Sequence, residues 1–318
     1  MRRLLFLLCL IPAVAFAQYP TKPIRMIIPF APGGASDFVG RIMQPKMAEL
    51  LGQPIVIENR AGAAGNIGAE AAARSAPDGY TAFLGNVGSI AINPGVYPKL
   101  SINPLKDLIA IGQVVDVPSV LIVHPSVPAS TVREFVDYAK ANQGKLNFAS
   151  PGSGSLDRLE MELFRKLEKL EIVHVPYKGG AGPATAGLMG GETQVMFATA
   201  ASAMPGIKSG RLKPLAVTSS KRIESLPNVP TVEESGYADL AAGSWQGIFV
   251  PAGTPREVVE KLFPVIQQVM KDPEVISRLK NGGAEAVTSE SPAAFAKFVA
   301  TETERWARIA KEAGATPD

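Results

Sequence analysis

The stretch "IIPFAPGGASDF", residues 27–38, decides how the rest of the chain is read. An apolar run ends in a Pro-Gly-Gly turn, and a Ser-Asp pair opens a helical pattern. This is a strand, a tight turn and a helix start, the opening unit of an α/β fold. The first N–H groups of a helix lack intrahelical partners, and the helix dipole places partial positive charge there. Gly33 and Gly34 let backbone approach a ligand with no Cβ in the way. The turn therefore reads as an anion site, or as a plain turn with Ser36 or Asp37 as N-cap. Asp37 argues against phosphate, because a fixed carboxylate repels a doubly charged group. A singly charged carboxylate with a nearby hydroxyl or amine suits the turn better. Gly33 and Gly34 are then the positions where a missing side chain matters most, and Gly34→Val is expected to abolish binding.

Outward from this unit, short apolar runs alternate with amphipathic ones, which predicts an α/β fold with mainly parallel sheets flanked by helices. Strands are expected at 24–30, 55–58, 80–86, 108–114, 120–123, 146–149, 172–175, 195–198, 214–218 and 246–250. Helices are expected at 36–51, 69–76, 131–142, 156–169, 183–189, 256–271, 273–281 and 292–313. One internal echo stands out. "FAPGGASD" (30–37) and "FASPGSGSLD" (148–157) share a plan of strand, Pro-Gly turn, Ser, Asp and helix. Two lobes presenting such turns would face a common cleft; a chance likeness of two Gly-rich turns is the alternative.

The bulk composition narrows the classes. Of 318 residues, 46% are hydrophobic and 19% charged, a balance that builds a core rather than a disordered chain. Arg2 and Arg3, the apolar run 4–11 and Ala15-Phe16-Ala17 read as an export signal cleaved after Ala17. Lys and Arg total 32 against 29 acids; without the two signal arginines the excess over acids is about one. No basic stripe interleaved with aromatics points to nucleic acid. The single cysteine, Cys9, falls within the signal, so the mature chain has no disulfide, Cys–metal site or Cys nucleophile.

Catalytic and nucleotide motifs are poor. "GAAGNIG" (62–68) spaces its glycines as G-x-x-G-x-x-G, not as the dinucleotide fingerprint, and no P-loop lysine motif occurs. His124 and His174 lie at or inside strands and read as structural. No G-x-S-x-G or H-E-x-x-H appears. Glu160 and Glu162, two residues apart on a helix, point to different sides. By contrast "GNVGS" (85–89), "VPYKGG" (175–180) and "ATAASA" (198–203) all follow strands, where ligands sit in open α/β sheets. There Tyr177 would bond a ligand or plug the lobe interface, and Lys178 would attract an anion or simply be surface.

Together these segments resemble the Bug-type extracytoplasmic solute receptors, the substrate-binding proteins of tripartite tricarboxylate transporters. The likeness runs over nearly the whole mature chain. It includes "PIRMIIPFAPGGASDFVGRIM", "IVIENRAGAAGNIGAE", "PDGYTAFLGNVG", "ASPGSGS", "VHVPYKGGAGPATAGLMGGE" and "WQGIFVPAGTP". The resemblance implies a two-lobed type II periplasmic-binding-protein fold, with one lobe from 18–118 and 226–318, the other from 119–225, and a ligand cleft between them. It implies a small organic acid (di- and tricarboxylates, aromatic acids and acidic amino acids included) held largely by backbone amides and water, no cofactor, no metal, no catalysis, and delivery by a monomer to membrane subunits of a transporter. Because opposed helix N-termini would each offer donors to one carboxylate, a small dicarboxylate is the leading expectation. Carried over residue by residue, the first-lobe contacts are Pro32, Gly33, Gly34, Asp37, Asn86 and Ser89. Those of the second lobe are Ser150, Gly152, Ser153, Gly154, Ser155, Ala200 and Ser202. One departure is Arg158, which stands where the family usually has His and is expected to be surface or to reach a ligand carboxylate. Two other readings remain: a ligand-dependent partner of a membrane sensor kinase, and a periplasmic hydrolase or lyase using Asp37 with Tyr177 or His174.

Overall fold

The structure is a computed structural model that describes residues 19–317. The export-signal reading of residues 1–17 lies outside the described residues. In chain order the elements are β1 (Ile24–Ile28), α1 (Ala35–Leu51), β2 (Ile55–Asn59), α2 (Asn66–Ala73) and β3 (Thr81–Asn86). A π-helical turn (Gly88–Ile92) then runs into α3 (Asn93–Val96), followed by α4 (Pro104–Asp107) and β4 (Leu108–Val123). Next come α5 (Val132–Ala141), β5 (Leu146–Ser150), α6 (Leu156–Glu168), β6 (Ile172–Pro176), α7 (Ala181–Met189), β7 (Val195–Thr199), α8 (Ala200–Lys208) and β8 (Lys213–Val217). The chain closes with β9 (Gly243–Pro251), α9 (Arg256–Lys271), α10 (Pro273–Asn281), β10 (Glu285–Ala286) and α11 (Pro292–Ala313).

The two halves repeat one plan. In the first, β1 lies between β2 and β3, parallel to both; in the second, β5 lies between β6 and β7, parallel to both. The echo between residues 30–37 and 148–157 is thus the β1–α1 turn and its counterpart, the β5–α6 turn. Parallel pairing stops at the centre. β9 runs antiparallel to β3 and β4, and β4 runs antiparallel to β7 and β8. The expectation of mainly parallel sheets therefore holds only for the outer strands. The reason is topological: the chain must cross between the halves, and the crossing strands enter each sheet against its direction.

β4 is the crossing. Its first part, to Pro118, pairs with β9, and from Ser119 onward it pairs with β7 and β8. Two separate strands were expected at 108–114 and 120–123, because Gln113, Asp116 and Pro118 interrupt the apolar run. The structure makes one continuous strand, with Pro118 where the ladder changes sheets and one missing N–H costs least. Thr218, just beyond β8, fastens the crossing. Its Oγ1 accepts from the Ser119 amide at 2.9 Å and donates to the Ala242 carbonyl at 2.7 Å.

Each half has its own apolar core. α1 buries Val39, Ile42, Met43 and Met47 on one face and ends at Gly52, whose φ of 66° closes the helix. They pack with Met26, Ile28, Ile248 and Leu262. In the second half Phe135, Phe148, Phe164 and Phe197 pack together. A further cluster joins the halves: Leu156 and Leu159 of α6 pack with Trp245, Phe295 and Trp306. Among the described residues no helix is long and apolar enough to cross a membrane.

Candidate functional site

The repeated plan brings helix N-termini to one place. A cleft of about 40 Å³ is lined by Gly34, Ala35 and Ser36 at the start of α1, and by Asn86, Val87 and Gly88 at the π-helical turn. From the other half come Ser155, Leu156 and Asp157 of α6, Ala181 of α7 and Thr199 at the start of α8. Phe30, Pro151 and Ser244 complete the wall. Helix N-termini present N–H groups and partial positive charge, so such a convergence favours an anion without any cationic side chain.

The facing loops touch. The Ala31 amide donates to the Gly179 carbonyl at 2.8 Å. A Cβ at Gly182 would lie 2.6 Å from the Pro32 carbonyl oxygen, and one at Gly154 would lie 1.7 Å from Asn93 Oδ1. These two glycines are where close approach forbids a side chain. Gly33 needs its glycine for a different reason, its φ of +90°. Gly34 is under neither constraint from the protein itself. Its φ is −87°, and a Cβ there would meet nothing closer than 3.8 Å.

The expected site residues divide into cleft lining and support. Gly34, Asn86 and Ser155 line the cleft. Ser89 fastens the turn before it: its amide donates to Asn86 Oδ1 at 2.9 Å, and its Oγ accepts from the Asn86 amide at 3.1 Å. Ser150 accepts from the Gly152 amide at 3.1 Å and lies 2.6 Å from His174 Nε2. Ser202 bonds Thr199 Oγ1 at 2.8 Å, with Ala200 buried beside it. Ser153 is buried and takes a bond from Arg158 Nη1 at 2.8 Å. Arg158 also reaches Glu162 at 3.1 Å and is absent from the cleft wall. Gly152, Tyr177 and Lys178 instead line a neighbouring cavity of about 220 Å³, which shares Phe30 and Pro151 with the cleft and includes the Gly62–Gly65 turn.

Asp37 is held as a strut of the β1–α1 turn. Its carboxylate accepts from Arg41 Nε at 3.0 Å, Asn59 Nδ2 at 3.0 Å and the Gly33 amide at 3.2 Å. Burial pushes its pKa up, but these three donors outweigh it and hold the group below the usual carboxylate range. Asp37 does not cap α1, whose N-cap is Gly34, and among the described residues no side chain does so. In α6 the corresponding position is filled, because Ser155 Oγ accepts from the Arg158 amide at 3.2 Å.

Sequence reasoning missed Asp157. By letter, the echo matches Asp37 with Asp157. By helix cap, Gly34 matches Ser155, so Asp157 takes the place of Ser36 and Arg158 that of Asp37. Asp157 is only 3% exposed. Burial pushes its pKa from 3.8 to about 7, opposed only by a bond from its own backbone amide. Helix α8 was missed too. Pro205 and Gly206 weaken its helical pattern, yet it carries Ser202 and starts from Thr199 as its N-cap.

The hydrolase reading loses its parts here. Asp37 is tied to Arg41, Tyr177 donates to Glu192 at 2.6 Å, and burial, then that bond, push the Tyr177 pKa up to about 12. Among the described residues no group of three or more His, Cys, Asp or Glu side chains is placed to hold a metal ion.

Residues 39–315 match the model of the tripartite tricarboxylate transporter family receptor. Protein BugT of Bordetella pertussis is 36% identical over 303 residues, covering 95% of this chain and 92% of its own. The structure of periplasmic binding protein BugD is 35% identical with a TM-score of 0.90, covering 94% of this chain and 100% of that one. MatC from Rhodopseudomonas palustris, solved with bound malate, is 33% identical with a TM-score of 0.86, covering 92% and 99%. With two half-sheets, a cleft ringed by helix N-termini and a family match over most of its length, this chain belongs to the tripartite tricarboxylate transporter receptor family, whose members bind ligands and are not enzymes.

Proposed function

We propose that this chain is a periplasmic solute-binding protein that closes over a small organic acid and delivers it to the membrane subunits of a tripartite tricarboxylate-type transporter. The observation that carries this reading is the start of α1: a helix N-terminus without a side-chain cap, opening into a cleft between two halves. In the proposed arrangement a ligand carboxylate sits on the Ala35 and Ser36 amides, with Asn86 and Ser155 beside it. Gly33, Asp37, Ser89, Ser150, Gly152 and Ser202 shape the turns around it. Malate in the related MatC supports a carboxylate ligand. The crossing at Pro118–Ser119 and Gly243 acts as the hinge.

A thermal-shift screen of C3–C8 mono-, di- and tricarboxylates and amino acids tests the reading. A binder at 100 times its Kd adds about 2.7 kcal/mol to stability. A melting point moved only by sugars, phosphates or purely cationic compounds overturns it. Loss of uptake of the bound acid in a deletion strain tests delivery.

A further inference from the structure

Among the described residues that line the cleft, Asp157 is the sole ionisable one, and no Lys or Arg accompanies it. It is 97% removed from solvent, and its carboxyl accepts only from its own backbone amide. One turn along α6, Glu160 is 2% exposed; burial, then the neighbouring Asp157, push its pKa well above the usual carboxylate range, opposed by the Ser119 hydroxyl. The α6 end thus differs from the α1 end. At α1 no side chain caps the helix; at α6 Ser155 and Asp157 occupy first-turn amides, and a second buried acid stands behind them. A dicarboxylate bridging the cleft would set one of its carboxylates against Asp157.

We propose that Asp157 selects a ligand carrying a donor-bearing cationic nitrogen opposite its carboxylate, so that the solute is a small zwitterionic amino monocarboxylate rather than a dicarboxylate. The carboxylate lies on the α1 amides and the ammonium on Asp157, so charges alternate across the cleft. This inference rests on the organic-acid reading above and narrows its ligand class. Binding of an ammonium strengthens as Asp157 deprotonates. On the same helix stands Glu160, and the turn Ala238–Leu240, which packs on α6, carries the exposed Asp239. On α11 there is Glu302, which is held by Arg305 and by the indoles of Trp245 and Trp306. β5 and β7 contribute no titratable side chain.

The test is calorimetric titration of the wild type, Asp157→Asn and Asp157→Ser with two matched series. One series is glycine, 3-aminopropanoate and 4-aminobutanoate; the other is malonate, succinate and glutarate. The inference expects the wild type to favour one amino acid at least tenfold over the dicarboxylate of similar length, with affinity rising from pH 5.5 to 8. Both variants, checked for folding by melting, reverse that preference at least tenfold. A dicarboxylate preferred by the wild type and unchanged in the variants overturns the role of Asp157 and leaves the organic-acid reading standing. Dicarboxylate binding that tightens as pH falls also overturns it, because Asp157 then acts as a protonated donor. Binding of neither series overturns the inference, and the organic-acid reading then rests on the wider thermal-shift screen.

Discussion

Replacing Asp157 by Asn should change how the ligand-free protein responds to pH. The carboxyl titrates near 3.8 when unfolded and near about 7 when folded, because burial disfavours its charged form. A folded pKa raised above the unfolded one means that the native state holds its proton more tightly. The group therefore costs nothing below the unfolded pKa, and stability is lost as pH rises toward the folded pKa. At about 1.4 kcal/mol per tenfold, the cost of Asp157 is under ~1 kcal/mol at pH 4, ~3 at pH 6 and ~4 at pH 8. Asparagine keeps the shape and removes the titration. Urea unfolding followed by fluorescence of the buried Trp245 and Trp306 reads this directly. The Asp157→Asn protein should be nearly equal to the wild type at pH 4 and more stable by several kcal/mol at pH 8. Parallel stability curves for the two proteins across pH 4–8 would refute the burial argument.

Other substitutions test separate parts of the account. Gly154→Ala puts a Cβ 1.7 Å from Asn93 Oδ1 and should abolish ligand binding, whereas Gly34→Ala, with 3.8 Å of room, should cost under about 1 kcal/mol in melting experiments. Thr218→Val strips the hydroxyl that bridges Ser119 and Ala242, leaving both backbone groups short of a partner. Denaturant titration should show a loss of about 1–3 kcal/mol. Arg158→Ala removes a guanidinium held by Glu162 and Ser153. It should leave ligand affinity within about twofold by calorimetry, and a larger loss would mean that the side chain turns into the cleft on binding.

The fold was legible wherever pattern and punctuation agreed. The strand, Pro-Gly turn and helix at residues 27–38 and again at 148–157 named both halves, and the helices over 256–271, 273–281 and 292–313 match the structure in type and extent. Antiparallel pairing at the centre was not legible, because a buried strand shows the same apolar run whichever way its neighbours point. Nor was the continuity of β4, since Pro118 looks like a break until its place between two sheets is known. At the site, turn chemistry pointed to loops that line the cleft but not to how their side chains are held. Asp37 and Asp157 look alike in sequence; one is a strut bound to Arg41 and the other faces the cleft, because their places in the first turn differ by one residue.

The central claim is that a ligand carboxylate is held by the bare first turn of α1. Amide resonances in a ¹H–¹⁵N NMR spectrum, recorded while the strongest carboxylate from the thermal-shift screen is titrated in, test it most directly. The account predicts the largest shifts at Ala35 and Ser36, with Gly88 and Ser155 following. Saturable binding that leaves Ala35 and Ser36 unmoved would contradict it.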